Sequence, residues 1–221
     1  SKGGQGAPLV PIGDRHLFAD YPICLNIGGI ANVSYEMNGK RIAYDICMAN
    51  QLLNYLANKL GYDYDKNGQF AKRGNIKKVL FEILNDNEYY KHDAPKSLGR
   101  EFFENVQHKV IDESSLPVYD LLATATEHIA YQIAKSVDVL DKSKMLVTGG
   151  GAKNDFLIER ICALSKHEII VPDVMITDYK EALIFAFLGV LKMEGKINVL
   201  SSVTGASSDS SSGKIYQIEN Q

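Results

Sequence analysis

The sequence predicts an α/β fold built on a mixed β-sheet, and three observations predict it. Three short β-patterned segments follow one another between residues 22 and 46. A long amphipathic helix occupies 118–137, and the C-terminal third alternates strand, glycine loop, helix, strand, helix. Three antiparallel strands followed by alternating units make one sheet of mixed direction with helices on both sides. With 221 residues, 45% of them apolar, the chain has the material for a sizeable core.

Each element has its own warrant. Residues 22–27 (PICLNI) form a short apolar run that stops at Gly28 and Gly29, and 31–37 (ANVSYEM) resumes with alternation, so a tight glycine turn joins two strands. Asn38-Gly39 suits a type I′ turn, in which both central residues need positive φ, and 41–46 (RIAYDI) makes the third strand. Asn50 is placed to cap a helix in which Leu52, Leu53, Leu56 and Leu60 recur at helical spacing before Gly61. Residues 62–116 are less regular and read as a helical insertion, with helices at 76–84 and 100–112.

Leu121, Leu122, Ala125, Ile129, Ile133 and Val137 form the stripe of the long helix. A strand at Lys144–Thr148 ends in Gly149-Gly150-Gly151 and leads into a helix over 154–164; a strand at 168–171 and a helix at 179–193 follow. Ala182, Phe185, Ala186 and Gly189 are expected on the tightest-packing side of that last helix. The serine-rich tail from Ser201 is expected to be mobile as far as Lys214. The order βββαβαβα with a helical insertion is the ribonuclease-H-like layout, one half of the ATPase fold shared by actin, hexokinase and the Hsp70 chaperones.

A formal net charge of −3 offers no basic footprint for nucleic acid, so no nucleic-acid partner is expected. Cys24, Cys47 and Cys162 are odd in number and form no CxxC pair, which argues against a disulfide framework or zinc site and for a reducing cytoplasm. No apolar run has the length of a membrane span, and no membrane partner is expected. The five histidines lack metal-ligand spacing, so no metal site is expected. The chain opens in a Gly/Pro-rich loop without methionine, as though a preceding segment were left out.

Three places could carry chemistry. Gly28-Gly29 is either a plain hairpin or a turn whose backbone N–H groups come close to a polyphosphate. Gly149-Gly150-Gly151 stands where a strand's carboxyl end meets a helix start, the usual nucleotide position in α/β sheets, and a flat ligand against the backbone is one reason for three glycines in a row. Asp45 ends the third strand and should emerge at the sheet edge near both glycine turns, as a proton acceptor or as a turn residue.

Seven segments together resemble a known family. They are GGQGAPLVP (3–11), LNIGGIANVS (25–34), Tyr44-Asp45 with Asn50, PKSLGREFF (95–103), VTGGGAKN (147–154), EALIFAFLG (181–189) and SVTGAS (202–207). In order and spacing they are similar to anhydro-N-acetylmuramic acid kinases over almost the whole chain.

The resemblance implies an ATP-dependent bacterial enzyme of cell-wall recycling, working with Mg²⁺. Such an enzyme cleaves the 1,6-anhydro ring of anhydro-N-acetylmuramic acid and phosphorylates O6 to give N-acetylmuramic acid 6-phosphate. It implies Asp45 as the general base that activates water. Gly28 and Gly29, with Asn26 and Asn32, resemble the second phosphate turn; Gly149, Gly150, Gly151 and Asn154 resemble the adenosine loop; Asn50 and Glu181 are implied at the sugar.

The resemblance also implies an N-terminal lobe carrying the first phosphate loop, and a homodimer is common in the family. On this reading residues 1–21 are an opening loop from that lobe, 22–200 the C-terminal lobe with the insertion at 62–116, and 201–221 a tail. The family's DTGPGN reads DICMAN here, at residues 45–50, which keeps the aspartate and asparagine and changes what lies between. A non-catalytic ATP- or muropeptide-binding sensor on the same fold is the alternative.

Overall fold

Local turn chemistry builds the first half of the sheet. β1 (Ile23–Ile27) turns through Gly28-Gly29 into β2 (Ile30–Met37), which returns through Asn38-Gly39 as β3 (Lys40–Met48). Asn38 and Gly39 have φ of 52° and 74°, the positive pair that a type I′ turn requires. β4 (Lys144–Thr148) and β5 (Glu168–Ile170) complete a sheet of order β3-β2-β1-β4-β5. The first three strands pair antiparallel, while β1–β4 and β4–β5 pair parallel. The computed structural model describes residues 3–216; the extremes of the expected opening loop and tail, 1–2 and 217–221, lie outside the described residues.

The helices are α1 (Pro11–Leu17), α2 (Asn50–Asn58), α3 (Lys78–Asn85), α4 (Arg100–Phe102), α5 (His108–Asp112), α6 (Val118–Val137), α7 (Asp155–Leu164), α8 (Val174–Met193) and α9 (Ser201–Thr204). Strand alternation divides them between two faces. Ile23, Leu25 and Ile27 of β1 and Met145 and Val147 of β4 pack with Leu52 and Leu56 of α2, Ile129 and Ile133 of α6, and Leu157 and Ile161 of α7. Cys24 and Leu146 point the other way, onto Ile12 of α1, Ile184 and Leu188 of α8 and Val203 of α9. α6 is buried on most sides because it lies between the sheet and the insertion.

Several expectations are corrected. Within the expected opening loop, α1 forms with Pro11 at its first turn and Ile12 buried, and Gly13 lies so close to Ile184 of α8 that a Cβ would collide with it. α8 begins at Val174 rather than 179, because Asp173 accepts the Ile176 N–H at 3.1 Å as an N-cap. Asn50 is not the cap of α2: Ala49 holds that position and Asn50 is the first helical residue.

β5 stops one residue short of the expected 171. In the insertion, α3 spans 78–85 and the second helix carries a π-helical turn at Phe103–Gln107. The expected tail is packed at its start, where α9 buries Val203 and Thr204 and Val199 pairs with Ser210. On α8 the buried side carries Thr177, Lys180, Ile184, Leu188 and Leu191, whereas Ala182, Phe185, Ala186 and Gly189 face outward. From Ala182 to Leu191 the helix is apolar all round, so its pattern did not distinguish the two sides.

Candidate functional site

The register of the sheet places one polar row across its carboxyl edge. Asn26 on β1 pairs with Asn32 on β2 and with Thr148 on β4, and Asn32 pairs with Asp45 on β3. Direct partners share a face, so Asp45, Asn32, Asn26 and Thr148 stand side by side on the α1–α8 side of the sheet. A bulge at Ala31/Asn32 interrupts the β2–β3 pairing beyond this row, so that Ile46, Cys47 and Met48 turn inward as a buried run. The changed residues of DICMAN therefore fill the core.

The two glycine turns adjoin one another at the head of this row. The Gly28 carbonyl accepts the Asn50 N–H at 3.1 Å, and the Gly29 carbonyl accepts those of Ala49 at 2.8 Å and Gln51 at 3.2 Å. The start of α2 is thereby satisfied by the turn itself. Gly28 N–H goes to Ile30 at 3.2 Å, and Gly29 N–H has no partner among the described residues. Asn50 donates its side-chain amide to the Ile27 carbonyl at 3.3 Å, and the same nitrogen would lie 3.5 Å from a Cβ on Gly150. Asn50 thus stands between the two turns.

The three consecutive glycines serve two different ends. Gly149 has φ of +86°, and a Cβ there would come within 2.6 Å of Asn26 Oδ1 and 2.8 Å of the Ile27 carbonyl. A Cβ on Gly151 would collide with the Ile27 side chain. Close packing on the end of β1 accounts for both, without a ligand. Gly28, Gly29 and Gly150 differ: their φ values are ordinary and a Cβ would meet nothing nearer than 3.5 Å. Gly150 opens the short 3₁₀ turn Gly150–Lys153, whose first N–H groups have no partner within the turn.

Asn154 is spent elsewhere. Its side chain accepts the Leu157 N–H at 3.0 Å as the cap of α7, and the residue is buried against Gly68. Asp45 is half-buried and tied to the insertion. Its Oδ2 accepts the Leu98 N–H at 2.9 Å, its own N–H donates to the Lys96 carbonyl at 3.3 Å, and its carbonyl accepts from the Tyr89 hydroxyl. Burial raises the Asp45 carboxyl above its ordinary value, partly offset by the Leu98 N–H. Glu181 is exposed on α8, one turn beyond Thr177, whose carbonyl accepts the Gly149 N–H at 3.3 Å.

One cluster on the same face escaped the sequence reading. Asp14 Oδ1 meets Lys180 Nζ at 2.6 Å, an ion pair without hydrogen-bond alignment, and the other oxygen accepts from the Ser34 hydroxyl. Arg41 donates to Ser34 Oγ at 2.7 Å and lies 3.8 Å from Asp14. Asp14, Ser34, Arg41 and Lys180 are all buried. Thr148 of the polar row was likewise missed. A charged residue inside an apolar helix, as at Lys180, was the available signal.

An order of β3-β2-β1-β4-β5, antiparallel over the first three strands and parallel beyond them, is that of the actin-like ATPase fold. Solved structures agree on the fold. The activator of 2-hydroxyisocaproyl-CoA dehydratase from Clostridium difficile with bound ADPNP superposes with a TM-score of 0.51 at 19% identity, over 80% of this chain and 63% of that one. Component A of (R)-2-hydroxyglutaryl-CoA dehydratase from Acidaminococcus fermentans gives 0.53 at 18%, over 79% and 63%.

The sequence profile of anhydro-N-acetylmuramic acid kinase matches residues 1–218. Curated relatives of that description are 36% identical in Actinobacillus pleuropneumoniae serotype 3, over 97% of this chain and 62% of the relative, and 36% identical in Vibrio cholerae, over 97% and 61%. The chain belongs to the anhydro-N-acetylmuramic acid kinase family. It spans about three fifths of the length of the curated relatives it matches.

Proposed function

We propose that this chain is the nucleotide-binding lobe of a cytoplasmic ATP-dependent kinase that opens the 1,6-anhydro ring of anhydro-N-acetylmuramic acid and phosphorylates O6. The observation that carries the reading is the convergence of Gly28, Gly29 and Gly150 beside Asn50: three glycines that neither φ nor packing requires. A missing Cβ with no intramolecular reason suits close approach of a ligand to the backbone. In this reading the N–H groups of Gly29 and Gly150 face phosphate oxygens. The 149–151 loop backs the adenosine, while Asn154 remains structural.

Water attacks the anomeric carbon, the bond from that carbon to O6 breaks, and O6 takes the γ-phosphoryl group. Asp45 accepts the proton of the water; its raised pKa makes it a stronger base than an ordinary carboxylate. Asn26 and Asn32 hold polar groups of the ligands along the row, and Asn50 and Glu181 face the sugar. A magnesium ion carried on nucleotide phosphates and water needs only one or two protein carboxylates, of which Glu181 would supply one, leaving Asp45 free as the base. That fits a chain in which the described residues include no cluster of three metal-ligating side chains. A second lobe closing over the site completes the cleft and excludes water.

The test is ADP release by the full-length protein with anhydro-N-acetylmuramic acid and, separately, with N-acetylmuramic acid. Turnover with the anhydro sugar, yielding a 6-phosphate, is expected. ADP release with neither sugar would sink the proposal.

A further inference from the structure

On the opposite face of the sheet from Asp45, the insertion encloses a cavity of about 310 Å³. Its walls are Tyr35 and Tyr44 at the sheet edge, Tyr90 of the insertion, and the last turns of α6. The Tyr44 hydroxyl is engaged with the Ser136 carbonyl at 2.9 Å, and the Tyr35 and Tyr44 rings meet edge to face at 6.2 Å. Three tyrosines thus contribute aromatic surface to the wall.

Two lysines line this cavity, Lys96 from the insertion and Lys135 from α6. Lys96 Nζ lies 5.4 Å from the centre of the Tyr44 ring and 4.8 Å from that of Tyr89, and it donates to the Tyr89 carbonyl at 3.2 Å. Lys135 lies 5.8 Å from the Tyr131 ring. Neither ammonium has a carboxylate at ion-pair distance among the described residues. Burial lowers the pKa of Lys96, the charge of Asp93 opposes it, and the charge of Lys135 adds a smaller lowering. Two cations share a partly enclosed, aromatic-walled space with one carboxylate, that of Asp93, on its lining.

We propose that this cavity is a binding site for a small organic anion, with a planar apolar body against the tyrosines and one phosphate or carboxylate between Lys96 and Lys135. Such a ligand supplies the counter-charge that one carboxylate leaves unmet beside two ammonium groups, and the ring faces supply the apolar contact. Asp93 disfavours a polyanion, which separates this site from the glycine turns. The site also reaches Asp45 through the insertion: the Lys96 carbonyl accepts the Asp45 N–H, and the Leu98 N–H donates to its carboxylate. An anion that holds Lys96 steadies both bonds from behind the sheet.

Phenyl phosphate is the probe, titrated by calorimetry into the full-length protein. Saturable binding is expected, weakened about tenfold or more in Lys96→Met and in Lys135→Met, since each removes a charge-assisted contact. Lys135 is exposed on α6, so its variant keeps the fold if Lys96→Met does not. Phenol, which lacks the charge, should bind at least about tenfold more weakly. Hydrogen exchange at the Leu98 amide should slow on binding. Absence of saturable binding, equal binding by both variants, equal affinity for phenol, or displacement by ATP would each overturn the proposal.

Discussion

At the scale of single residues, three neighbouring glycines answer to different demands. Gly149 and Gly151 are pressed against the end of β1, so an alanine at either should destabilise the fold by about 1–3 kcal/mol, through overpacking and, at Gly149, through its positive φ. Gly150 has room for a side chain. Gly150→Val should leave thermal stability within a degree or two while weakening ATP by about 1–3 kcal/mol, the cost of a backbone donor left unpaired in the complex. Calorimetry and thermal melts on the three variants separate the two roles. Weakened ATP binding only in variants that also melt early would remove the ligand argument.

Asp45 carries a second expectation at this scale. Its folded pKa is raised by burial, so the acid limb of kcat/KM should lie above the ordinary carboxylate value, with activity lost as pH falls through it. Asp45→Asn should lower kcat by about 10²-fold or more and abolish that limb while ATP still binds. Full activity of the variant would refute the assignment. The Leu98 and Tyr89 contacts of Asp45 lay beyond sequence reasoning, because they join residues more than 40 positions apart.

At the scale of elements, α6 holds the insertion to the sheet through a buried polar network. His128 on α6 is fully buried, with Nδ1 at 2.8 Å from Asn85 Oδ1 of α3 and Nε2 at 3.3 Å from the Tyr90 hydroxyl. Gln132 donates to the same Asn85 oxygen at 2.7 Å. These partners suit a neutral ring that donates from Nδ1 and accepts at Nε2. Burial pushes the His128 pKa down to about 3.

The sign of the pH effect follows. The unfolded chain takes up this proton below about 6.5 and the folded chain does not, so stability is full above that pH and falls as pH drops toward 3. The contribution has a slope of up to about 1.4 kcal/mol per pH unit. Urea unfolding between pH 7 and 4 should show a slope that is reduced in His128→Leu. A second element-scale expectation concerns α7, where Asn154→Ala removes the cap and should cost about 1 kcal/mol, a fall of about 2–4 °C in Tm.

At the scale of the whole molecule, the Asp14 cluster ties together elements from both ends of the chain. Asp14 comes from α1, Ser34 from β2, Arg41 from β3 and Lys180 from α8, and they meet in the layer beneath the polar row. Asp14 is the only carboxylate that contacts Lys180 among the described residues, so removing its charge leaves a buried ammonium unpaired. Asp14→Asn should therefore lose about 3–5 kcal/mol in urea unfolding, and Asp14→Asn combined with Lys180→Met should recover part of it. A loss under about 1 kcal/mol would mean that the pair is reached by water.

The sequence by itself determined the strand hairpins, the long helix, the βαβα ending and hence the fold class. Each of these rests on short-range physics: period-2 and period-3.6 patterning, and a turn pair that tolerates positive φ. It also marked both glycine turns and Asp45, because glycine runs and carboxylates at strand ends are visible as residue types. Only the tertiary structure decided which glycines pack and which are free, which side of α8 is buried, and that α1 is helical. It alone aligned Asp45, Asn32, Asn26 and Thr148 in one row. Register, bulge and face depend on contacts between residues far apart in the chain, and a one-residue slip would turn each of these side chains to the other side of the sheet.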